Sequence, residues 1–245
     1  MMHSLIAATA WLIALAWLYK FVESFVGYPK VPNLLDAKFE VAPAGDPSVV
    51  VIVPARNEAT HVAACLGSLL AQDYVNMRVI AVDDRSTDAT GSVLDRLAAE
   101  HPEKLTVLHI AELPAGWLGK THAMAVAADS AIAQYSPDYL LFTDADIHFQ
   151  KESIRRALAQ AVATSADHFV LMPTLIVRNA GEAMVLSYIQ TMSLWGLRPW
   201  RVADPRARRD AIGVGAFNMV RTAAYLQIGG FEATPMEVLE DLYLG

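Results

Sequence analysis

From residue 48 onward, short apolar runs alternate with longer segments in which apolar residues recur at helical spacing. Apolar, β-branched runs of about four to eight residues predict buried strands, whereas the longer segments predict helices. The predicted strands are 49–53, 77–82, 105–110, 139–142 and 169–177, and the predicted helices end near residues 71, 100, 134 and 164. Strands that alternate with helices predict an α/β fold with a doubly wound, mostly parallel sheet.

The amino-terminal segment has a different pattern. Apolar residues run from Leu5 to Tyr19 almost without interruption, and residues 21–26 extend the run past Lys20. About 20 apolar residues in a helix are enough to span a bilayer. The alternative is a cleaved signal peptide, but no Lys or Arg precedes the run and no small-x-small cleavage site follows it. We therefore predict an uncleaved transmembrane helix.

These patterns divide the chain into three predicted parts. Residues 1–27 form a membrane anchor, residues 28–47 form a linker rich in Pro and Gly, and residues 48–245 form the α/β domain. Lysines lie on the carboxyl side of the apolar run, at Lys20, Lys30 and Lys38. The positive-inside rule then predicts a single-pass protein of the plasma (inner) membrane with its α/β domain in the cytoplasm.

Composition narrows the functional class. The chain has 19 Lys and Arg against 26 Asp and Glu, a formal charge of −7. A net negative charge argues against nucleic acid as a partner, which requires a basic surface. One local basic cluster is formed by Arg201, Arg206, Arg208 and Arg209. It has two equal interpretations, a solvated loop or a contact with lipid headgroups.

Polar residues follow three of the predicted strands at the point where each strand ends. In an open α/β sheet, ligand sites lie just beyond the carboxyl ends of the strands, so these residues should converge. They are Arg56, Asn57 and Glu58 after the first strand, Asp83 and Asp84 after the second, and Asp144 and Asp146 after the fourth. Asp144 and Asp146 supply the oxygen ligands that Mg²⁺ and Mn²⁺ prefer. Taken alone, these two residues fit better as the acidic start of a helix that follows the strand, and the other strand ends shift the balance towards a metal site.

Two common nucleotide-binding motifs are absent from the sequence. No G-x-G-x-x-G follows the first strand, and no G-x-x-x-x-G-K-[ST] occurs. Their absence disfavours a dinucleotide-dependent dehydrogenase and a P-loop nucleotidase. We still expect a nucleotide ligand, held by carboxylates and a divalent cation rather than by a glycine-rich loop.

The ordered set of motifs from residue 48 to the end resembles family 2 glycosyltransferases with the GT-A fold. The matching motifs are residues 51–58, 82–88, 119–123, 143–146, 229–231 and 240–241. The anchor and the Gly116-Trp117-Leu118-Gly119-Lys120 motif are most similar to hopanoid-associated members. The resemblance implies transfer of a sugar from a nucleotide-sugar donor, expected to be a UDP-sugar, to a lipid or polysaccharide acceptor, with a hopanoid-related acceptor as the narrower expectation.

The resemblance also implies a role for each candidate site residue. Nucleotide-sugar binding would involve Pro54, Ala55, Arg56, Asn57, Glu58, Asp83, Asp84, Lys120, Asp144 and Ala145. Asp144 and Asp146 would hold Mg²⁺ or Mn²⁺. Asp241, which follows Glu240, would be the general base that deprotonates the acceptor hydroxyl. A base opposite the leaving group implies a single displacement, which inverts the anomeric carbon.

Members of the family continue well beyond the Glu240-Asp241 motif, whereas this sequence ends at Gly245. We therefore expect a domain truncated at its carboxyl end. That expectation keeps open a second interpretation, an inactive membrane-associated binding module with the GT-A fold. A third, a metal-dependent nucleotidyltransferase, ranks last because no basic, glycine-rich phosphate loop occurs near the start of the domain.

Overall fold

A computed structural model describes residues 2–204, 206, 210 and 212–244. The chain separates into two compact units. The helical unit comprises Met1–Asn33 and Thr174–Ile212, and the sheet unit comprises Leu34–Pro173 and Gly213–Gly245. Of the basic cluster predicted at residues 201–209, Arg208 and Arg209 lie outside the described residues.

The described residues of the sheet unit form a six-stranded mixed sheet. Its strands are β1 (Val49–Ala55), β2 (Met77–Asp84), β3 (Leu105–Ile110), β4 (Tyr139–Phe142), β5 (His168–Val170) and β6 (Asn218–Arg221). They are arranged in the order β3-β2-β1-β4-β6-β5. The first four strands pair in parallel, whereas β6 is antiparallel to both β4 and β5. The prediction of a mostly parallel α/β sheet is confirmed.

Helices cover both faces of the sheet. The longer ones are α2 (Val62–Leu70), α3 (Thr90–Glu100), α4 (Gly119–Tyr135) and α5 (Ser153–Ala163), and the short ones are α7 (Thr222–Gln227) and α8 (Glu240–Tyr243). Successive residues of β1 point to opposite faces. Val51 packs in a core with α2, α3 and α5, and Ile52 packs in a second core with α4. Burial on both faces explains the uninterrupted apolar run of β1.

The fifth predicted strand, 169–177, is wrong beyond Val170. Strand β5 comprises only His168–Val170, and its sole strand partner among the described residues is β6, which is four residues long. The last ladder contact is from the Leu171 N–H to the Phe217 carbonyl, at 3.4 Å. Pro173 follows and has no N–H to donate, so the strand cannot continue.

Strand β6 was not predicted from the sequence. It has four residues, Asn-Met-Val-Arg, and its polar ends hide it from a search for apolar runs. Two partners stabilise it, since it lies between β4 and β5 and its Met219 is fully buried. The missed strand matters for the site because its first residue, Asn218, pairs with Phe142 at the end of β4.

Two helices form most of the helical unit, α1 (Met2–Gly27) and α6 (Ala180–Leu197). The contacts that join them lie near the carboxyl ends of both helices. The Trp17 and Trp195 rings meet edge to face with centroids 4.6 Å apart, and the Lys20 ammonium donates to the Trp195 carbonyl at 3.4 Å. Within the described residues, one helical stretch, Met2–Lys30, is long and apolar enough to cross a membrane.

The two units divide the chain differently from the predicted boundaries 1–27, 28–47 and 48–245. The second half of the predicted linker packs with the sheet unit, since Leu34 contacts the core and its carbonyl accepts from the Arg156 guanidinium at 3.0 Å. Residues 174–212 form one compact unit with α1 instead of with the sheet. In that unit, the buried Asp210 forms ion pairs with Arg198 and Arg201.

Candidate active site

A cleft of about 360 Å³ opens at the carboxyl ends of β2, β1 and β4, three neighbouring parallel strands. Its volume lies in the range of small-molecule binding sites. The residues that line it are Pro54, Ala55, Arg56, Glu58, Asp84, Gly119, Lys120, Asp144, Ala145 and Asp146. The structure therefore brings together nine of the predicted donor- and metal-binding residues, and two others, Asn57 and Asp83, do not line the cleft.

Asp84 lies at the end of β2 and is almost fully buried. Its two carboxylate oxygens accept from the guanidinium of Arg85, at 2.8 and 2.9 Å. A side chain at Gly119 would prevent this arrangement, because a Cβ there would lie 2.6 Å from both an Asp84 oxygen and an Arg85 nitrogen. Gly119, the first residue of α4, thus lets the helix start approach the Asp84–Arg85 pair.

Asp83 and Asn57 have structural partners outside the cleft. Asp83 faces the side of the sheet opposite to Asp84, as the alternation of a strand requires. Its carboxylate accepts the Ser86 N–H at 3.2 Å and contacts His109 at 3.1 Å. Asn57 has a left-handed backbone (φ 57°), and its side-chain oxygen accepts the Thr87 N–H at 2.8 Å. Both side chains shape the loops behind the cleft, and their role in donor binding stays a prediction.

Lys120 connects the cleft to the carboxyl-terminal motif. Its ammonium lies 2.8 Å from an Asp144 oxygen and 2.8 Å from a Glu240 oxygen. Burial by itself lowers the pKa of Lys120, but the contacts with these two carboxylates outweigh it, and the pKa lies above its ordinary value. Lys120 is therefore a fixed positive charge between the end of β4 and the start of α8.

The two carboxylates of the carboxyl-terminal motif have different surroundings. Glu240 is buried and faces Lys120. Asp241 is half-buried, and one of its oxygens accepts the Leu242 N–H at 3.0 Å. Together with Lys120 and Asp144 they line a small cavity of about 10 Å³, and neither lines the larger cleft. In the structure, the expected base therefore adjoins the cleft through Lys120 and Asp144.

The residues at the end of β4 fit a divalent cation. Asp146 is exposed at the cleft, and Asp144 is partly exposed and shares one oxygen with Lys120. In the described part of the chain, no group of three or more Asp, Glu, His or Cys side chains is arranged to hold a metal. Mg²⁺ commonly binds through one or two carboxylates and completes its shell with phosphate oxygens and water, so this pair matches a cation shared with a diphosphate.

Three residues that shape the site were not identified from the sequence. Arg85 neutralises Asp84 and follows it directly in the motif, so its position gave a signal. The Thr143 hydroxyl donates to the Ala216 carbonyl at 2.7 Å and ties the Asp144 turn to the segment before β6. The Asn218 amide donates to the Asp241 carbonyl at 3.0 Å. Thr143 belongs to the 143–146 motif, but no role was predicted for it or for Asn218, because their partners are distant in sequence.

Comparison with known proteins identifies the family. The sequence model of the family "Glycosyl transferase family 2" matches residues 50–222 of this chain. The chain is 29% identical over 193 residues to the succinoglycan biosynthesis protein ExoA of Rhizobium meliloti, covering 76% of this chain and 53% of ExoA. It is 23% identical over 202 residues to the 4,4'-diaponeurosporenoate glycosyltransferase of Staphylococcus haemolyticus, covering 81% of this chain and 50% of that protein. The chain thus spans about half the length of these relatives.

A solved structure supports the same assignment. The mannosyltransferase PcManGT from Pyrobaculum calidifontis, in complex with GDP-Man and Mn²⁺, matches with a TM-score of 0.61 and 25% identity. The match covers 94% of this chain and 60% of that one. The GT-A-like sheet and the family match agree with the motifs at the strand ends, and the chain belongs to glycosyl transferase family 2.

Proposed function

We propose that this chain is the catalytic part of a membrane-anchored, metal-dependent glycosyltransferase that inverts the transferred sugar. The observation that carries the proposal is the meeting of three strand ends at one cleft, which is lined by Asp84, Asp144, Asp146 and Lys120. Ligands of open α/β sheets bind at such strand ends. A carboxylate can accept from a neutral base, and carboxylates that hold a divalent cation, together with an ammonium, suit a charged diphosphate.

A nucleotide-sugar would bind with its base near β2 and its diphosphate near β4. Asp84, held by Arg85, is the group available to accept an N–H from the base. We expect a UDP-sugar, and PcManGT, whose structure contains GDP-Man, makes GDP-mannose the first competing donor to test. Lys120 adds positive charge where the leaving diphosphate would lie.

Asp144 and Asp146 would hold the divalent cation. A bound Mg²⁺ or Mn²⁺ would offset the charge that develops on the leaving diphosphate. The structure of PcManGT contains Mn²⁺, which supports a cation of this class. The chain's own contribution is to hold Asp144 in place through Lys120 and through the buried hydrogen bond of Thr143.

Asp241 would act as the general base on the acceptor hydroxyl. A carboxylate in this role removes the proton as the oxygen attacks the anomeric carbon, and attack opposite the leaving group inverts that carbon. Glu240 would keep Lys120 in position. The ion pair with Lys120 therefore separates the roles of two adjacent acids.

The acceptor is proposed to be a lipid or a polysaccharide. The names of the relatives, 4,4'-diaponeurosporenoate glycosyltransferase and succinoglycan biosynthesis protein, support these two classes. A hopanoid-related lipid is the narrower expectation from the sequence motifs. The Met2–Lys30 helix supports an anchor in the plasma membrane, and we expect the sheet unit to be cytoplasmic.

The decisive experiment uses the full chain in native membranes. UDP-glucose, UDP-N-acetylglucosamine and GDP-mannose are each supplied with Mg²⁺, Mn²⁺ or EDTA, and nucleoside diphosphate release and donor binding are measured. We expect one donor to be bound and turned over only with a cation. Asp146→Asn should remove cation-dependent binding, because one of two protein carboxylates is lost. Asp167→Asn, which changes an exposed acid in the sheet unit, is the matched control.

The outcomes separate the competing functions. Donor binding without turnover of any donor would favour the inactive binding module. Nucleoside triphosphate turnover in place of nucleotide-sugar turnover would favour a nucleotidyltransferase. Equal cation dependence in Asp146→Asn and the parent would contradict the proposed metal site. For topology, a cysteine at the exposed Val75 should be labelled by a membrane-impermeant reagent only when the cytoplasmic face is open to it.

A further inference from the structure

A chain of hydrogen bonds leads from β5 to the backbone of the proposed base. The ring nitrogen Nε2 of His168 is hydrogen-bonded to the side-chain oxygen of Asn218. The side-chain nitrogen of Asn218 donates to the backbone carbonyl of Asp241 at 3.0 Å. Asn218 is 2% exposed, so its own side chain is shielded from water. Of the three residues in this series of hydrogen bonds, Asp241 is the one with a proposed catalytic role.

The direction of the bonds follows from the chemistry of the atoms. The Asp241 carbonyl can only accept, so the Asn218 amide must present its NH₂ group to it. The Asn218 oxygen then faces His168 and requires a proton on Nε2. Burial lowers the pKa of His168 below its ordinary value, although its bond to Asn218 opposes this shift. A neutral ring holds one proton, and Asn218 determines that it resides on Nε2.

The Asp241 backbone also lies directly against Gly213. A Cβ at Gly213 would lie 2.0 Å from the carbonyl carbon and oxygen of Asp241, closer than any side chain can approach. The Asp241 carbonyl therefore has two close neighbours, the Asn218 amide that donates to it and the backbone of Gly213. Asn218 also pairs with Phe142, two residues before Asp144, so the same strand end adjoins the proposed donor site.

We propose that His168 and Asn218 position the general base: His168 orients the Asn218 amide, and the amide holds the Asp241 backbone so that the carboxylate meets the acceptor hydroxyl. Both are positioning residues and neither contacts substrate. The inference rests on the proposed function of Asp241. It adds that the geometry of the base depends on a polar pair in β5 and β6. In the order of the sheet, β6 lies next to β4, whose end carries the proposed metal-binding turn, and β5 lies one strand further away.

The kinetic test is a double-mutant cycle on the full chain in membranes, with UDP-glucose, UDP-N-acetylglucosamine and GDP-mannose as donors. Asn218→Ala should lower kcat by roughly 10–100-fold while the donor Kd stays unchanged, because a displacement of about 1 Å costs about that much. In an Asp241→Asn background, Asn218→Ala should cost no further rate, since it acts only through the base. Asn76→Ala is the matched control, because the Asn76 amide likewise donates to a backbone carbonyl, that of Asp46, outside the site.

His168 supplies the second arm of the test. His168→Leu removes the donor to Asn218 and should lower kcat like Asn218→Ala. His168→Gln keeps an N–H donor and should recover most of the loss. Additive effects of Asn218→Ala and Asp241→Asn, or equal rates for His168→Leu and His168→Gln, would overturn the inference while leaving the proposed base intact. Parental activity of Asp241→Asn would instead overturn the proposed function.

Hydrogen–deuterium exchange tests, without any enzymatic turnover, whether Asn218 holds the Asp241 backbone. Hydrogen–deuterium exchange at residues 240–244 should become faster in Asn218→Ala and His168→Leu, but not in His168→Gln or Asn76→Ala, because only the first two release the Asp241 carbonyl. Unchanged exchange in all four variants would show that Asn218 does not hold this backbone. Circular dichroism and donor binding identify any variant that fails to fold.

Discussion

The two units of this chain use apolar residues in opposite ways. In the sheet unit, the large apolar residues of β1, β2 and β4 are almost completely buried. In the helical unit, the apolar window of α1 is not buried in the protein at all. The sheet unit covers its own core, whereas α1 presents apolar side chains on all sides. Helices that are apolar all round are typical of protein cores and membrane spans, and the exposure of α1 supports the proposed membrane anchor.

Helix α6, the second long helix of the helical unit, also exposes apolar side chains. Its exposed apolar residues, Met184, Val185, Tyr188 and Ile189, lie within an arc of about 140° on a helical wheel. The helix has 18 residues and one charged side chain, Glu182. Apolar content alone therefore does not distinguish a protein core from a membrane contact. The two are distinguished by the length of the apolar run and by whether the protein itself buries it. We expect the catalytic residues to lie in the sheet unit and the membrane contact in the helical unit.

The largest expected effect tests the chemistry of the sheet unit. Asp241→Asn should bind donor and cation nearly normally but transfer sugar roughly 10²–10⁴-fold more slowly, because it removes the general base. Glu240→Gln should reduce the rate less, since Gln can still accept from Lys120. Transfer rates and donor Kd in membranes are the measurement. A parental rate for Asp241→Asn would leave the proposed mechanism without a base.

The second effect tests the helical unit. Leu12→Arg with Leu15→Arg should release the chain from the carbonate-resistant membrane fraction, because each Arg at the centre of a spanning helix costs about 2.5–3.5 kcal/mol. Donor binding in the cleft should persist. Val75→Arg is the matched control, since Val75 is an exposed apolar residue of the sheet unit. Continued membrane retention of the double variant would show that α1 is not the anchor.

The third prediction concerns quenching by lipid at α6, which measures whether this helix also contacts the membrane. A fluorophore on Tyr188→Cys should be quenched by spin-labelled lipids severalfold more than one on Val75→Cys. Cys65 does not interfere, because burial raises the pKa of its thiol to about 12 and keeps it unreactive at neutral pH. Equal quenching at the two positions would restrict the membrane contact to α1.

The smallest effect is a pH dependence of stability in the sheet unit. His109 lies between Asp95 and Asp83, and the contact with Asp95 is the larger cause of a pKa raised above its ordinary value. A group whose pKa is raised in the folded state stabilises the fold at pH values below its pKa in the unfolded chain. This stabilisation is lost as the pH rises through the pKa of the folded state. His109→Gln should therefore destabilise more at pH 5.5 than at pH 8.5, by about 0.2–1 kcal/mol as for exposed pairs. Denaturant unfolding at both pH values measures it, and a larger loss at pH 8.5 would contradict the assignment.

Local pattern was enough to establish much of the sheet unit and its cleft. The run at 49–53 predicts a strand because both of its faces are buried, and an uninterrupted β-branched run suits few other structures. Asp84, Asp144 and Asp146 were placed correctly at one edge because parallel strands end together. The length of the apolar run likewise predicts a helix long enough to span a membrane, and the described part of the chain has such a helix at Met2–Lys30.

Tertiary structure decided the features that depend on residues far apart in the chain. Strand β6 forms only because β4 and β5 provide partners on both sides, so its four residues carry no sufficient local signal. The strand pleat decided that Asp84 faces the cleft and Asp83 does not. The ion pair of Lys120 with Glu240 and the Asn218–Asp241 bond join segments 120 and 23 residues apart. Such contacts depend on how the strands are ordered, which a local pattern of apolar and polar positions does not encode.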